Sequence, residues 1–561
     1  MAVVSDGRYV VPMGKGDLGL VGGTLEKIRG PLRRFFIERL SDTISPIYSA
    51  LILGERQGLT SELREPFNRS GVGHIMAVSG LHLGLVAWLS FMSLRWLLSL
   101  SYRLALMTDI RKFAAIVTTF PVIAYGLLTG LQVSSQRAMV MVLVFLWSFV
   151  IGREKDVWSS LSLAALIILA LKGDALFSTS FQLSFVAVAG ILWLAPLVLS
   201  RIPKFKTNNG SFQRNRLLHP ILTYAVGLIA VTTAATVITT PLTAYHFHRF
   251  TMVALPANLT VVPIIGLWVI PLGLLSSITL FLSSGVAGFL LSLGEFGLNL
   301  AMSLVQFWSD IPWSSIWVIR PNWLEILLVY GLLFLSINFT RSRVYRLLLP
   351  LVLALTCIDI GYWVYQTRLN SDLRVTIMDA GRGNVALIRF PGKERMLITH
   401  NAFGYRGFDL GRMVVAPYLG HEKIQRIDYL FVTGAHVQQT DRLRFMINSF
   451  HPREVFSNLS TERMIGGVKI KGGGSEGITI GYRGWSLLFY DQKVQIEREN
   501  LEGVKGWSKY LIVAKKQTMR PRSFPVLSIP QTGALTITID PEGNIRMKSF
   551  LKENLPLRIL D

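Results

Sequence analysis

Between residues 74 and 365 long apolar runs are broken by short polar connections; past 373 the runs shrink to short β-branched segments between polar or glycine turns. Ten apolar runs of about bilayer-crossing length predict helices near 74–98, 113–130, 137–152, 157–172, 177–200, 219–241, 250–281, 286–308, 322–339 and 347–365. The seventh is too long for one straight helix and holds Pro256, Pro263 and Pro271, so two broken half-helices or a re-entrant element are expected there. Upstream, residues 31–54 read as an amphipathic helix lying on the outer leaflet. Segments 375–378, 385–390, 396–398 and 429–432 read as strands, with helices at 438–450 and 500–510. The expected fold class is a polytopic α-helical membrane domain of about ten spans followed by a soluble α/β domain.

Composition agrees with a membrane protein: 51% of residues are hydrophobic and 16% charged, and the mean hydropathy is +0.45. The formal charge of +23 divides evenly, with 28 Lys+Arg against 16 Asp+Glu in residues 1–365 and 29 against 18 in residues 366–561. Positive-inside bias accounts for the first excess. A basic soluble tail points to phosphates or anionic lipid, or to a generic solvated surface. Arg95 to Lys112, Arg153 and Lys155, Arg201 to Arg216, and Arg341 to Arg346 supply the basic residues after the first, third, fifth and ninth spans. These are alternate connections, so they share the cytoplasmic side, and both the N-terminal segment and the 366–561 domain then face outward. Arg29, Arg33, Arg34 and Arg39 run against that orientation. No cleavable signal peptide is expected within residues 1–40.

Within the first span, Gly73, Ala77, Gly80 and Gly84 would fall within about 60° of one another on a helix, a stripe that admits a neighbouring helix. Ser79 and His82 would then face an aqueous lumen, because lipid is a costly environment for histidine. The other reading is a helix broken at Ser79 and Gly80, with His82 satisfied by a backbone carbonyl. Arg137, His246, His248 and Arg249 fall at outer ends of spans, where cations are disfavoured unless they catch an anion or snorkel to headgroups. Gln182 and Asn258 either line a polar path or tie helices together.

Several segments carry a family resemblance. Ala50-Leu-Ile-Leu-Gly-Glu-Arg-Gln-Gly-Leu-Thr60 leads into Gly73-His-Ile-Met-Ala-Val-Ser-Gly-Leu-His-Leu-Gly-Leu-Val86, and Phe181-Gln-Leu-Ser-Phe185 and residues 240–263 follow. Together they resemble the ComEC family, inner-membrane channels of natural competence through which single-stranded DNA enters the bacterial cytoplasm. The resemblance favours the lumen reading and implies a DNA path through Ser79, Gly80, His82, Arg137, Gln182, His246, His248, Arg249 and Asn258. It implies single-stranded DNA and membrane lipid as partners, with a competence-pilus DNA receptor, a cytoplasmic helicase or single-strand-binding proteins, and further copies of the chain. No nucleotide-binding loop is visible, and no cofactor is implied. The organisation expected is an N-terminal segment at 1–40, where a remnant of the family's OB domain would lie, a competence-type transmembrane domain at 41–365, and the tail at 366–561.

The tail resembles the metallo-β-lactamase-like domain that ends many ComEC chains, through Asp379-Ala-Gly-Arg-Gly-Asn-Val-Ala386 and residues 408–419. Where that family places T-H-x-H-x-D-H to hold two metal ions, this chain has Thr433-Gly-Ala-His-Val-Gln-Gln439, and Thr399 stands for the usual aspartate. Only His436 keeps a ligand type, so the expected tail is catalytically dead, with no catalytic or metal residues. Two alternatives stand beside the channel: a membrane-anchored nuclease processing incoming DNA through an unrecognised ligand set, and a secondary transporter of a small anion. The proline-rich seventh span suits the transporter, but no inverted repeat is visible.

Overall fold

The computed structural model describes residues 19–100, 109–153, 156–201, 218–380, 383–400, 410–433, 440–456, 462–473, 477–490, 509–514, 526–528 and 534–549. The chain divides into two compact units, Met1–Thr243 with Phe250–Ile316, and Ala244–Arg249 with Trp317–Asp561. Each of the ten apolar runs contains a helix. Among the described residues, eight helices are long and apolar enough to cross a membrane. Val157–Leu171 and Trp323–Ile337 stop at 15 residues, about 22 Å at 1.5 Å per residue and short of a hydrocarbon core of roughly 30 Å.

Three expectations for the first unit are corrected. The seventh span is one helix, Ala254–Thr279, carrying a π-turn at Ile265–Val269. Pro256 sits in its first turn, where the missing N–H had no helical partner, and the wider turn between Pro263 and Pro271 takes up the hydrogen bonds those prolines lack. The first span begins at Gly80 rather than 74, because Gly73–Met76 is a 3-10 turn and Ala77 and Ser79 are extended. Gly73 and Ala77 therefore lie off the helix, and the four-residue stripe does not form.

Residues 31–54, expected on a leaflet surface, are instead the centre of this unit. Helix Gly19–Arg39 and helix Ile44–Tyr48, which continues into a π-turn at Ser49–Leu53, bury Phe36, Tyr48, Ile52 and Leu53 in one cluster with Val261, Ile270 and Leu298. Glycines make the room. A Cβ at Gly294 would overlap the Tyr48 hydroxyl, and one at Gly273 would stand 2.8 Å from Ile52 Cδ1.

In the second unit the four segments read as strands each overlap a strand, and nine further strands join them. Strands β1 (Leu373–Ala380), β2 (Gly383–Arg389), β3 (Arg395–His400), β4 (Tyr429–Thr433), β5 (Glu454–Phe456), β12 (Leu535–Ile539) and β13 (Ile545–Ser549) form a seven-stranded sheet ordered β13-β12-β1-β2-β3-β4-β5. A six-stranded sheet runs from β6 (Arg463–Ile465) through β7 (Val468–Gly473), β8 (Gly477–Tyr482), β9 (Trp485–Tyr490) and β10 (Lys509–Ala514) to β11 (Val526–Ser528). Val375, Ile388 and Met396 meet Ile470, Ile480 and Leu487 in the core between the sheets. The opposite face of the larger sheet, through Val385, Leu387 and Leu397, buries Leu419, Phe445 and Phe450 of helices Ala416–His421 and Thr440–Phe450. The helix expected at 500–510 is overturned at its end, where Lys509 begins β10; residues 500–508 lie outside the described residues.

Candidate functional site

In the first unit the signature residues gather at the start of helix Gly80–Ser99. Ser79 caps it, accepting from the Leu81 N–H at 3.3 Å, and the Ser79 N–H donates to His82 Nδ1 at 3.3 Å. The Ser79 hydroxyl also stands 3.2 Å from that nitrogen. His82 is fully buried, and its Nε2 has no partner. The ring thus sits inside protein rather than on an open lumen, the break at Ser79 having turned it inward to complete the cap. Gly80 and Gly84 have nothing within 4 Å of where a Cβ would stand. Among the described residues no helix fills the space the stripe was expected to close. Burial pushes the His74 pKa down, although its side chain keeps exposed surface.

Helix Val133–Ile151 packs against Gly80–Ser99 through Ala138 and Leu146 against Leu83 and Ala87. Arg137, in its second turn, is 6% exposed. Its Nη1 donates to the Val133 carbonyl at 2.9 Å, its Nε is buried without a partner, and among the described residues no carboxylate pairs with it. A buried guanidinium without a counter-charge is costly and marks a place where an anion would be stabilised. Gln182 donates to the Leu176 carbonyl at 3.1 Å and Asn258 to the Ala254 carbonyl at 2.8 Å, so each amide hydrogen-bonds nearby backbone.

Sequence reasoning missed a polar network in this unit. Arg33 pairs with Glu55 at 2.5 Å and Glu26 at 3.0 Å, and the carboxylates hold its pKa above the ordinary arginine value. Arg29 Nε donates to the Leu128 carbonyl at 2.7 Å and Gln132 to the Gly54 carbonyl, tying residues 29–55 to the turn before Arg137. Gly54 is in the left-handed region at φ 76°, and a Cβ there would stand 2.7 Å from the Thr129 carbonyl oxygen. The only sequence signal was an apolar run, 44–53, too short to span and flanked by charges.

His246, His248 and Arg249 belong to the second unit, apart from the other six candidates. His248 takes φ 57°, is 9% exposed, and has a buried Nε2 without a partner. Burial, then the Arg320 and His246 charges, push its pKa down. Around it Arg249 lies over the Trp317 ring at 4.8 Å and Arg320 over the Tyr245 ring at 4.3 Å, with Trp323 against Tyr245 at 4.8 Å. Lys423, also unforeseen, has a side chain 8% exposed and reaches Glu325 and the Arg320 carbonyl, both at 2.6 Å. Thr399 is buried with its hydroxyl unpartnered. Residues 434–439, including His436, lie outside the described residues. Among those described, no three His, Cys, Asp or Glu residues gather as metal ligands would.

Comparison with known proteins sets this arrangement in context. The family model for Competence protein matches residues 51–343, just over half of the chain. ComE operon protein 3 of Bacillus subtilis (strain 168) is 24% identical over 420 residues, covering 72% of this chain and 50% of that protein. Competence protein ComA of Neisseria gonorrhoeae is 25% identical over 401 residues, 70% of this chain and 51% of that protein. Recombination protein 2 of Haemophilus influenzae (strain ATCC 51907 / DSM 11121 / KW20 / Rd) is 23% identical over 402 residues, 67% of this chain and 48% of that protein. The chain spans about half the length of the curated relatives it matches. No solved structure matches it.

Proposed function

The chain belongs to the competence-protein family of the ComEC type, and on that premise we propose that it passes single-stranded DNA inward across the bacterial cytoplasmic membrane during natural transformation. The observation that carries this reading is Arg137. It is a buried guanidinium with, among the described residues, one backbone acceptor and no carboxylate, in a helix packed on the one that opens with Ser79 and His82. A phosphodiester passing that point would supply the missing counter-charge, and a planar fork of donors suits its two free oxygens. Among the described residues, nothing stands within 4 Å of where a Cβ at Gly80 or Gly84 would be.

The basic tail guides the strand without cutting it, on the extracytoplasmic side that the alternating charge of the connections favours. A pilus-borne DNA receptor outside and a helicase or single-strand-binding proteins inside would deliver and draw the strand, since the chain has no nucleotide-binding loop to do work itself. The test is uptake of labelled DNA in the native host, deleted for the gene and complemented with wild type or Arg137→Ala, counting DNA outside and inside the cytoplasmic membrane separately. Deletion should strand DNA outside, wild type should restore entry, and Arg137→Ala, produced at wild-type level, should not. Unchanged entry in the deleted strain would refute the channel.

A further inference from the structure

The second unit carries a ladder of aromatic rings and guanidinium groups around residues 245–249 and 317–323. Tyr245 carries Arg320 over its ring at 4.3 Å and meets Trp323 at 4.8 Å, tilted by 45°. Beside it Arg249 covers Trp317 at 4.8 Å, and Trp317 meets Phe445 edge-on at 5.4 Å. Trp323, at the outer end of the first stack, is 53% exposed.

The backbone fixes this ladder. The Arg320 N–H donates to the Gly420 carbonyl at 3.2 Å, and the Arg320 carbonyl accepts from Lys423 at 2.6 Å. Asn322 and Glu325 close a capping box at 2.8 Å in both directions, starting the helix at Trp323. Anchoring thus engages neither the Arg320 guanidinium, which rests on the Tyr245 ring, nor the half-exposed Trp323 indole. Among the described residues Arg320 makes no ion pair, and its charge is one of the causes, after burial, that lower the pKa of the neighbouring His248. His248 adds a second sign of an unfilled site: a buried Nε2 without a partner, on a residue in a left-handed conformation that non-glycine residues seldom adopt.

An exposed ring at the end of a fixed stack, next to a cation lacking a counter-ion, matches one ligand chemistry: flat bases alternating with phosphates along a flexible strand. We propose that Tyr245, Trp323 and Arg320 form a sequence-tolerant platform for single-stranded nucleic acid, one base stacking on Trp323 and its phosphate meeting Arg320. This deepens the channel reading by giving the second unit its own contact with the strand. A duplex would not serve, because its bases are already stacked on each other. An interfacial tryptophan seated among lipid headgroups is the competing role, and it has no preference for a base.

The experiment uses the full chain in detergent and measures fluorescence anisotropy with labelled oligo(dT) and with a strand of the same length carrying abasic residues. Wild type should bind oligo(dT) more tightly than the abasic strand by roughly 5- to 100-fold, the range expected for one stacked base. Trp323→Ala should erase that difference and Trp323→Phe should keep most of it, each variant melting within a few degrees of wild type. Arg320→Gln should shallow the slope of log affinity against log salt by about 0.7, one phosphate contact on a single strand. Equal affinity for the two strands, or discrimination untouched in Trp323→Ala, overturns the platform while leaving the channel standing. Absence of any binding to either strand overturns the platform and counts against the channel as well.

Discussion

Replacing Arg137 with methionine should make the protein more stable and useless for DNA entry. Methionine has a similar length and adapts to irregular spaces, so it fills the same volume without a charge. An arginine at mid-bilayer costs about 2.5–3.5 kcal/mol, and for a side chain in the second turn of its span, nearer the interface, about half that applies. The buried Nε without a partner adds about 1–2 kcal/mol to the cost of the native residue. Against this stands the bond to the Val133 carbonyl at 2.9 Å, worth about 1.5 kcal/mol. The balance favours Arg137→Met by about 1–2 kcal/mol. Thermal melting of the detergent-purified protein gives the stability arm, and transformation frequency in a complemented deletion strain gives the functional arm. A rise in melting temperature with loss of entry is the signature of a residue kept for its ligand. A fall in melting temperature would show that Arg137 holds the bundle together, and unchanged entry would show that the strand does not pass it; either refutes the reasoning.

Three further changes test other parts of the fold. Gly190→Ala should cost about 1–3 kcal/mol, because its Cβ would overlap Ile238 Cγ2 and stand 2.7 Å from Ile238 Cβ; Ile238→Ala in the same chain should recover part of the loss in a melting assay. Lys423→Met should destabilise the second unit by roughly 3–5 kcal/mol by leaving the Glu325 carboxylate without its cation, and Lys423→Met with Glu325→Gln should lose much less. Burial and neighbouring cations lower the His248 pKa in the folded protein, so near and below the ordinary histidine value the unfolded chain binds more protons and stability rises with pH. Acidification below about 6.5, the ordinary histidine value, should therefore lower the melting temperature. His248→Asn, which tolerates the left-handed backbone, should flatten that dependence, and an unchanged slope would clear His248 of any part in it.

The hydrophobic pattern alone located all ten helical runs and the first four strands of the tail, because a span or a half-buried strand is a local requirement that every segment must meet in its own sequence. The same holds for the signature at 73–86, whose residue types were legible before any helix was drawn. What each side chain does was not local. A break at Ser79 and Gly80 was one of two readings left open, but nothing in the pattern told that Ser79 would cap the helix and turn His82 inward, or that the π-turn at Ile265–Val269 would keep three prolines within one helix. Residues 31–54 read as an amphipathic helix on a leaflet surface, yet Gly273 and Gly294 on distant helices leave the hole that Tyr48 and Ile52 fill. His246, His248 and Arg249 sit beside one span in sequence, and only packing assigned them to the unit that holds Arg320 and Lys423. Sequence fixes what a residue must be to sit in lipid or in a strand; which neighbour satisfies it depends on groups up to hundreds of residues away, and only the folded chain brings those together.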